Sequence, residues 1–195
     1  MKSMTNRLLT TISLLLISNI VLGAVNNFKV NSDLSTLSFA TIKLEYVVEA
    51  AKITNISGQI DNNGILNIAL PIKHIDTGIG LRNQRLNELF FNAANFPDAK
   101  VSAKLPEGLL LEDSFMRQLT LPAQVTIFGQ TQELNFTVNI LKKGGDIAVS
   151  TVQPTIVRAK QFGIPSDNLN ALASTVGGIA ISDSVPVSFS LILSQ

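Results

Sequence analysis

Apolar and polar residues alternate along most of this chain with a period of two. Leu134, Phe136, Val138 and Ile140 are separated by Asn135, Thr137 and Asn139. Val185, Val187, Phe189, Leu191 and Leu193 repeat the pattern near the C-terminus, mostly against Ser and Pro. Shorter stretches with the same rhythm are Leu37–Phe39, Ile53–Ile60, Ile65–Leu70, Val101–Leu105, Val125–Phe128 and Ile147–Val152. Successive side chains of a strand point to opposite faces, so this alternation predicts half-buried antiparallel strands. Two turn clusters, Asp61-Asn62-Asn63-Gly64 and Lys142-Lys143-Gly144-Gly145, join neighbouring strands directly and predict hairpins.

Only two stretches have helical spacing. In Leu81–Asn92 the residues Leu86, Leu89 and Phe90 fall on one face, with Arg82 and Arg85 elsewhere. In Ser166–Val176 the stripe is Leu169, Leu172, Ala173 and Val176; Ser166 or Asp167 is the expected cap and Gly177-Gly178 the stop. About eight strands and two short helices, without a repeat or long linker, predict an all-β antiparallel barrel or sandwich. Barrel closure would remove exposed edges.

The first residues follow a different rule. Lys2 and Arg7 precede an apolar run from Leu8 to Leu22, and small residues Gly23-Ala24 follow it. This is the layout of a secretory signal peptide, and the run of about 15 residues is shorter than a membrane-spanning helix needs. Residues 1–24 are therefore expected to be removed, with cleavage near Gly23-Ala24 or Ala24-Val25, leaving residues 25–195 as one exported, periplasmic domain. The leader holds two basic and no acidic residues, so its loss takes the formal charge from +1 to −1. A near-neutral domain has no electrostatic footprint for nucleic acid. The chain has no cysteine, so the core alone must hold the exported fold.

Catalytic constellations are missing. The one histidine, His74, ends a strand and reads as an ordinary strand or turn residue. Neither a Gly-x-Ser-x-Gly elbow nor a His-Glu-x-x-His helix accompanies it, and one His without Cys does not make a typical zinc site. The turn at Asp61 lacks the long acidic loop of an EF-hand. The carboxylates at Glu45, Glu49, Glu107, Glu112, Asp113 and Asp183 have no catalytic spacing. Asn55-Ile56-Ser57 and Asn135-Phe136-Thr137 match the glycosylation sequon, but the second lies inside a strand. Binding therefore outranks catalysis, and no metal or cofactor is expected.

Four segments, in order, resemble the YceI-like family of exported lipid- or polyisoprenoid-binding proteins. They are Ile75-Asp76-Thr77-Gly78-Ile79 with Arg82-Asn83 and Arg85-Leu86; Leu89-Phe90-Phe91 with Asn95-Phe96-Pro97-Asp98-Ala99; Leu119-Thr120-Leu121 with Val125 through Thr131; and Arg158-Ala159-Lys160-Gln161-Phe162-Gly163-Ile164. The similarity spans Phe28 to Leu193. One motif departs from it: Ser35 and Phe39 match, but Asn31 and Leu34 stand where family members often carry Asp and His, and Lys43 where many have a second His. Any role of those histidines does not transfer.

The resemblance implies a lipocalin-like antiparallel β-barrel and an isoprenoid, quinone-like or other lipid ligand in its lumen, with transient contact to a membrane or membrane protein. Phe39, Phe136, Val138, Val187, Phe189 and Leu191 are then the lumen candidates. Phe90, Phe91, Arg82, Arg85 and Arg158 are candidates for the mouth, where an arginine could hold a phosphate or quinone head, or simply anchor the helix or turn it sits on. A barrel filled by its own side chains, serving as a structural or interaction module, is the alternative.

Overall fold

The computed structural model describes residues 27–195; the expected leader lies outside them. Its strands are β1 (Phe28–Val30), β2 (Thr36–Lys43), β3 (Val47–Ile53), β4 (Ser57–Ile60), β5 (Ile65–Pro71), β6 (Ile75–Asp76), β7 (Asp98–Lys104), β8 (Ser114–Ile127), β9 (Gln130–Lys143), β10 (Asp146–Thr151), β11 (Thr155–Arg158) and β12 (Ser184–Ser194). All pairings are antiparallel, and they run β1-β4-β5-β7-β8-β9-β10-β12, with β12 returning to β1. The sheet therefore closes.

The twelve strands are eight staves, four of them interrupted. β1 and β2 lie in succession along one edge of β12 (Lys29 opposite Ser194, Phe39 opposite Val187), and β10 and β11 along the other (Ser150 opposite Ser190, Thr155 opposite Val187). β3 and β4 form one stave against β5 and β6. Each interruption has a local cause. Asn31 Oδ1 accepts from the Asp33 and Leu34 amides, turning the chain after β1. Asn55, at φ +54°, sits between β3 and β4, and a short 3-10 turn at Ile72–His74 separates β5 from β6. Pro154, without an N–H to donate, divides β10 from β11.

Ser35 mends the first break. Only 3% exposed, its hydroxyl accepts from the Ile192 amide at 3.0 Å and donates to the Ile192 carbonyl, standing in for the missing ladder at the seam with β12. The serine that matches the family motif is thus a closure residue. Leu34, where the family's histidine would be, is exposed.

Both predicted hairpins are present, β4–β5 and β9–β10. The first predicted helix is a short α-helix, α1 (Gly80–Arg85), continued by a π-helical turn at Leu86–Phe90. The second is α2 (Ser166–Ser174). Its cap differs from expectation: Pro165 takes the N-cap position and no side chain bonds there, because Ser166 and Asp167 are already inside the first turn.

Strand direction sorts the connections to two ends. One end carries the β2–β3 and β8–β9 turns, α1 and its π turn, the Arg158–Ile164 turn and α2. The other carries the β4–β5 and β9–β10 turns and a 3-10 turn at Leu109–Leu111. This second end is plugged. Leu105 and Leu109 are buried, and Lys142 continues the inward stripe of β9 beneath Ile140. Its ammonium, on a residue 6% exposed, donates to the carbonyls of Leu110 and Glu112 at 2.8 and 2.6 Å and lies 5.8 Å from the Phe28 ring centroid. A buried charge needs such partners.

Candidate functional site: an apolar cavity open at one end

Above the plug, the inward faces do not fill the barrel. They enclose a cavity of about 200 Å³. Period-two alternation supplies its wall: Ile68 and Leu70 of β5, Ala99, Val101 and Ala103 of β7, Leu121, Ala123 and Val125 of β8, and Leu134, Phe136 and Val138 of β9. β12 contributes Val185, Val187, Phe189 and Leu191. Three alanines on two adjacent strands hold the space open, since larger inward side chains there would fill it.

All six sequence-predicted lumen residues lie on this wall: Phe39, Phe136, Val138, Val187, Phe189 and Leu191. Phe136 and Phe189 meet edge to face, 5.5 Å between centroids. The prediction missed β5, β7 and β8, although the alternation of Ile65–Leu70 and Val101–Leu105 carried the same signal.

The helical end forms the mouth. Phe90 and Phe91 line it, edge to face at 4.7 Å, together with Leu169 and Leu172 of α2 and Ile164. Phe162, fully buried, packs into the wall from the Arg158–Ile164 turn. That turn closes at Gly163, whose φ of +67° a glycine adopts without steric cost. The polar groups at the cavity wall are at the mouth: Thr41, Ser182 and Asp183.

The three arginines do not line the cavity. Arg82 Nη1 lies 2.7 Å from Glu49 Oε2 on β3, and Lys43 Nζ lies 2.8 Å from the other carboxylate oxygen. The bond from Lys43, with Arg82 beside it, holds the Glu49 carboxyl below its ordinary pKa against the opposing effect of burial. This cluster fastens α1 to the barrel wall. Arg85 is half-buried on α1, and Arg158 is an exposed residue ending β11. His74 lies off the cavity, with Asn55 Nδ2 at 3.2 to 3.3 Å from its ring nitrogens.

The motif segments prove to be mutually bonded. Asn83 Oδ1 accepts from both the amide and the hydroxyl of Thr77, and Asp76 Oδ1 accepts from the Gly78 amide. Phe96 stacks on Phe128, 4.3 Å between centroids, directly over Gly129. Among the described residues, no three His, Asp or Glu side chains gather as a metal site would require.

A family model for the YceI-like domain matches residues 28–193. The chain belongs to the YceI-like family. Among solved structures it is similar to a polyisoprenoid binding domain from Saccharophagus degradans implicated in plant cell wall breakdown: 20% identity over 86% of this chain and 97% of that one, with a TM-score of 0.80. It is also similar to BcnA of Burkholderia cenocepacia, at 16% identity over 84% of this chain and 98% of the other, TM-score 0.61. At these identities the likeness is one of fold, and it agrees with the lipocalin-like barrel expected from the sequence. No curated protein matches the chain in sequence.

Proposed function

We propose that this YceI-like domain is an exported, periplasmic, non-catalytic carrier that holds an isoprenoid or other lipid-like chain in its lumen. The observation that carries the reading is the cavity itself: almost wholly apolar, closed at the base and open at the helical end. The polyisoprenoid binding domain that shares its fold adds support, as does the leader-like N-terminus. A filled structural barrel is disfavoured by a space of this size.

Phe39, Phe136, Val138, Val187, Phe189 and Leu191 would pack against the chain, and Phe90 and Phe91 would gate its entry. A quinone or similar head would rest near Thr41, Ser182 and Asp183. Burying each CH₂ from water is worth about 0.8 kcal/mol, but membrane acyl chains are as apolar as this wall, so that gain vanishes for a ligand taken from a bilayer. The protein should therefore exchange lipid with membranes and not strip them. The rim suits brief contact: Tyr46 (80% exposed), Val48 and Leu81 stand exposed on the elements around the mouth.

Vesicle-to-vesicle transfer of a labelled polyprenol tests this. Transfer that scales with protein concentration is expected; transfer at the protein-free rate would sink the carrier reading.

A further inference from the structure

Beneath the cavity lies a second, much smaller void of about 20 Å³, walled by apolar side chains and sealed below by Leu109 and Leu110. Three residues border both spaces: Leu66 of β5, Leu121 of β8 and Val149 of β10. We propose that these three side chains form a floor that sets how long a chain the cavity accepts; the inference rests on the lumen-binding reading above.

The three come from separate staves and are 7–8% exposed, so the floor is a packed layer and not one mobile side chain. Its foundation is fixed. The plug below it is bonded to the buried Lys142 through two backbone carbonyls, so a ligand pressing downward meets a fastened segment. The lower void has no polar wall to hold water, which leaves nothing for an entering chain to displace there except the floor itself.

Depth follows from strand geometry. On β12 the wall runs from Leu191, near the floor, to Val185 at the mouth, about 20 Å along a strand at 3.3 Å per residue. A barrel tilt near 40° reduces this to about 15 Å along the axis. An extended chain advances roughly 1.2 Å per backbone bond, so a four-bond isoprene unit takes about 5 Å and the cavity holds about three extended units. Longer tails must fold back or leave the mouth.

A series of prenols (geraniol, farnesol, geranylgeraniol and longer homologues) titrated into the protein reads the ruler. For wild type, affinity should rise to the length that fills the cavity and then level off. In Leu66→Ala/Leu121→Ala, which joins the two spaces, the next longer homologue should bind at least tenfold tighter than to wild type. Each additional buried CH₂ is worth about fourfold. Ala103→Leu, opposite Leu66 on the neighbouring strand, adds bulk just above the floor and should shorten the plateau. It carries the test should the double variant not fold. Prenol binding with the same plateau in wild type and Ala103→Leu, or in wild type and a folded double variant, overturns the floor alone. No binding of any prenol overturns the carrier reading together with it.

Discussion

Asn168 Nδ2 donates to the carbonyl oxygen of Phe90 at 2.9 Å, fastening α2 to the π turn packed beside it at the mouth. Phe90 ends the helical segment, where the last carbonyls have no partner within the helix, and the amide from α2 takes one of them. The two helical pieces thus form one rim, the first lining the cavity with Phe90 and Phe91 and the second with Leu169 and Leu172.

Asn168→Ala should therefore loosen the mouth more than the barrel. We expect a stability loss of about 1 kcal/mol, the worth of one such bond, and faster release of a bound fluorescent polyprenol in stopped-flow displacement. Unchanged release would mean that the helices do not control access.

The Lys43–Glu49–Arg82 cluster predicts an acid-sensitive term. Because the folded pKa of Glu49 is depressed, its contribution is fully present above the unfolded carboxylate range near 4.3 and is lost as pH falls through the lower folded value. The pairs are partly exposed, so the contribution should not exceed about 1 kcal/mol. The difference in Tm between wild type and Glu49→Gln should be present at neutral pH and shrink in acid; a difference independent of pH would contradict the assignment.

Gly129 adopts φ +75°, and a Cβ placed there would lie 2.9 Å from Cε1 of Phe96. Gly129→Ala combines left-handed strain of about 1–2 kcal/mol with displacement of the Phe96–Phe128 stack. Denaturant unfolding should show a loss at least that large.

Lys142→Met keeps the apolar stem but leaves the Leu110 and Glu112 carbonyls without their donor. A loss of about 1–3 kcal/mol is expected in the same assay. A variant as stable as wild type would show that the plug does not depend on the ammonium.

Much of this was legible in the sequence. Alternation on β9 and β12 identified inward residues that do line the cavity, and Asp61–Gly64 and Lys142–Gly145 marked true hairpins. The first part of β8 was not legible: Met116 is apolar on the outward face, Arg117 is an exposed charge at the alternation of the buried Leu121, and Pro122 reads as a strand breaker. The structure accommodates Pro122 at the point where the β7 ladder has just ended, after Ala103–Ala123. Alternation alone did not distinguish barrel from sandwich, because closure rests on β1 and β2 pairing with β12 at the far end of the chain, with Ser35 bridging the gap between them. Only the family resemblance pointed to the barrel. For the arginines the sequence left two roles open, a head-group contact and an anchor for the helix or turn. Residue type does not choose between them; the register of β3, which brings Glu49 to Arg82, makes that arginine an anchor for α1. Alternation puts Ala99 and Ala103 on the inward face of β7, but that they leave a hollow shows only when the opposing strands do not fill the space.

The most direct test of a hollow, chain-binding lumen is to fill it. Ala123, 3% exposed on the cavity wall, is replaced by Phe, and binding of a fluorescent polyprenol is titrated for both proteins. Wild type should bind saturably and Ala123→Phe should not, with the variant's Tm preserved because the ring enters existing space. Equal binding by both proteins, or none by wild type, would contradict a hollow, chain-binding lumen.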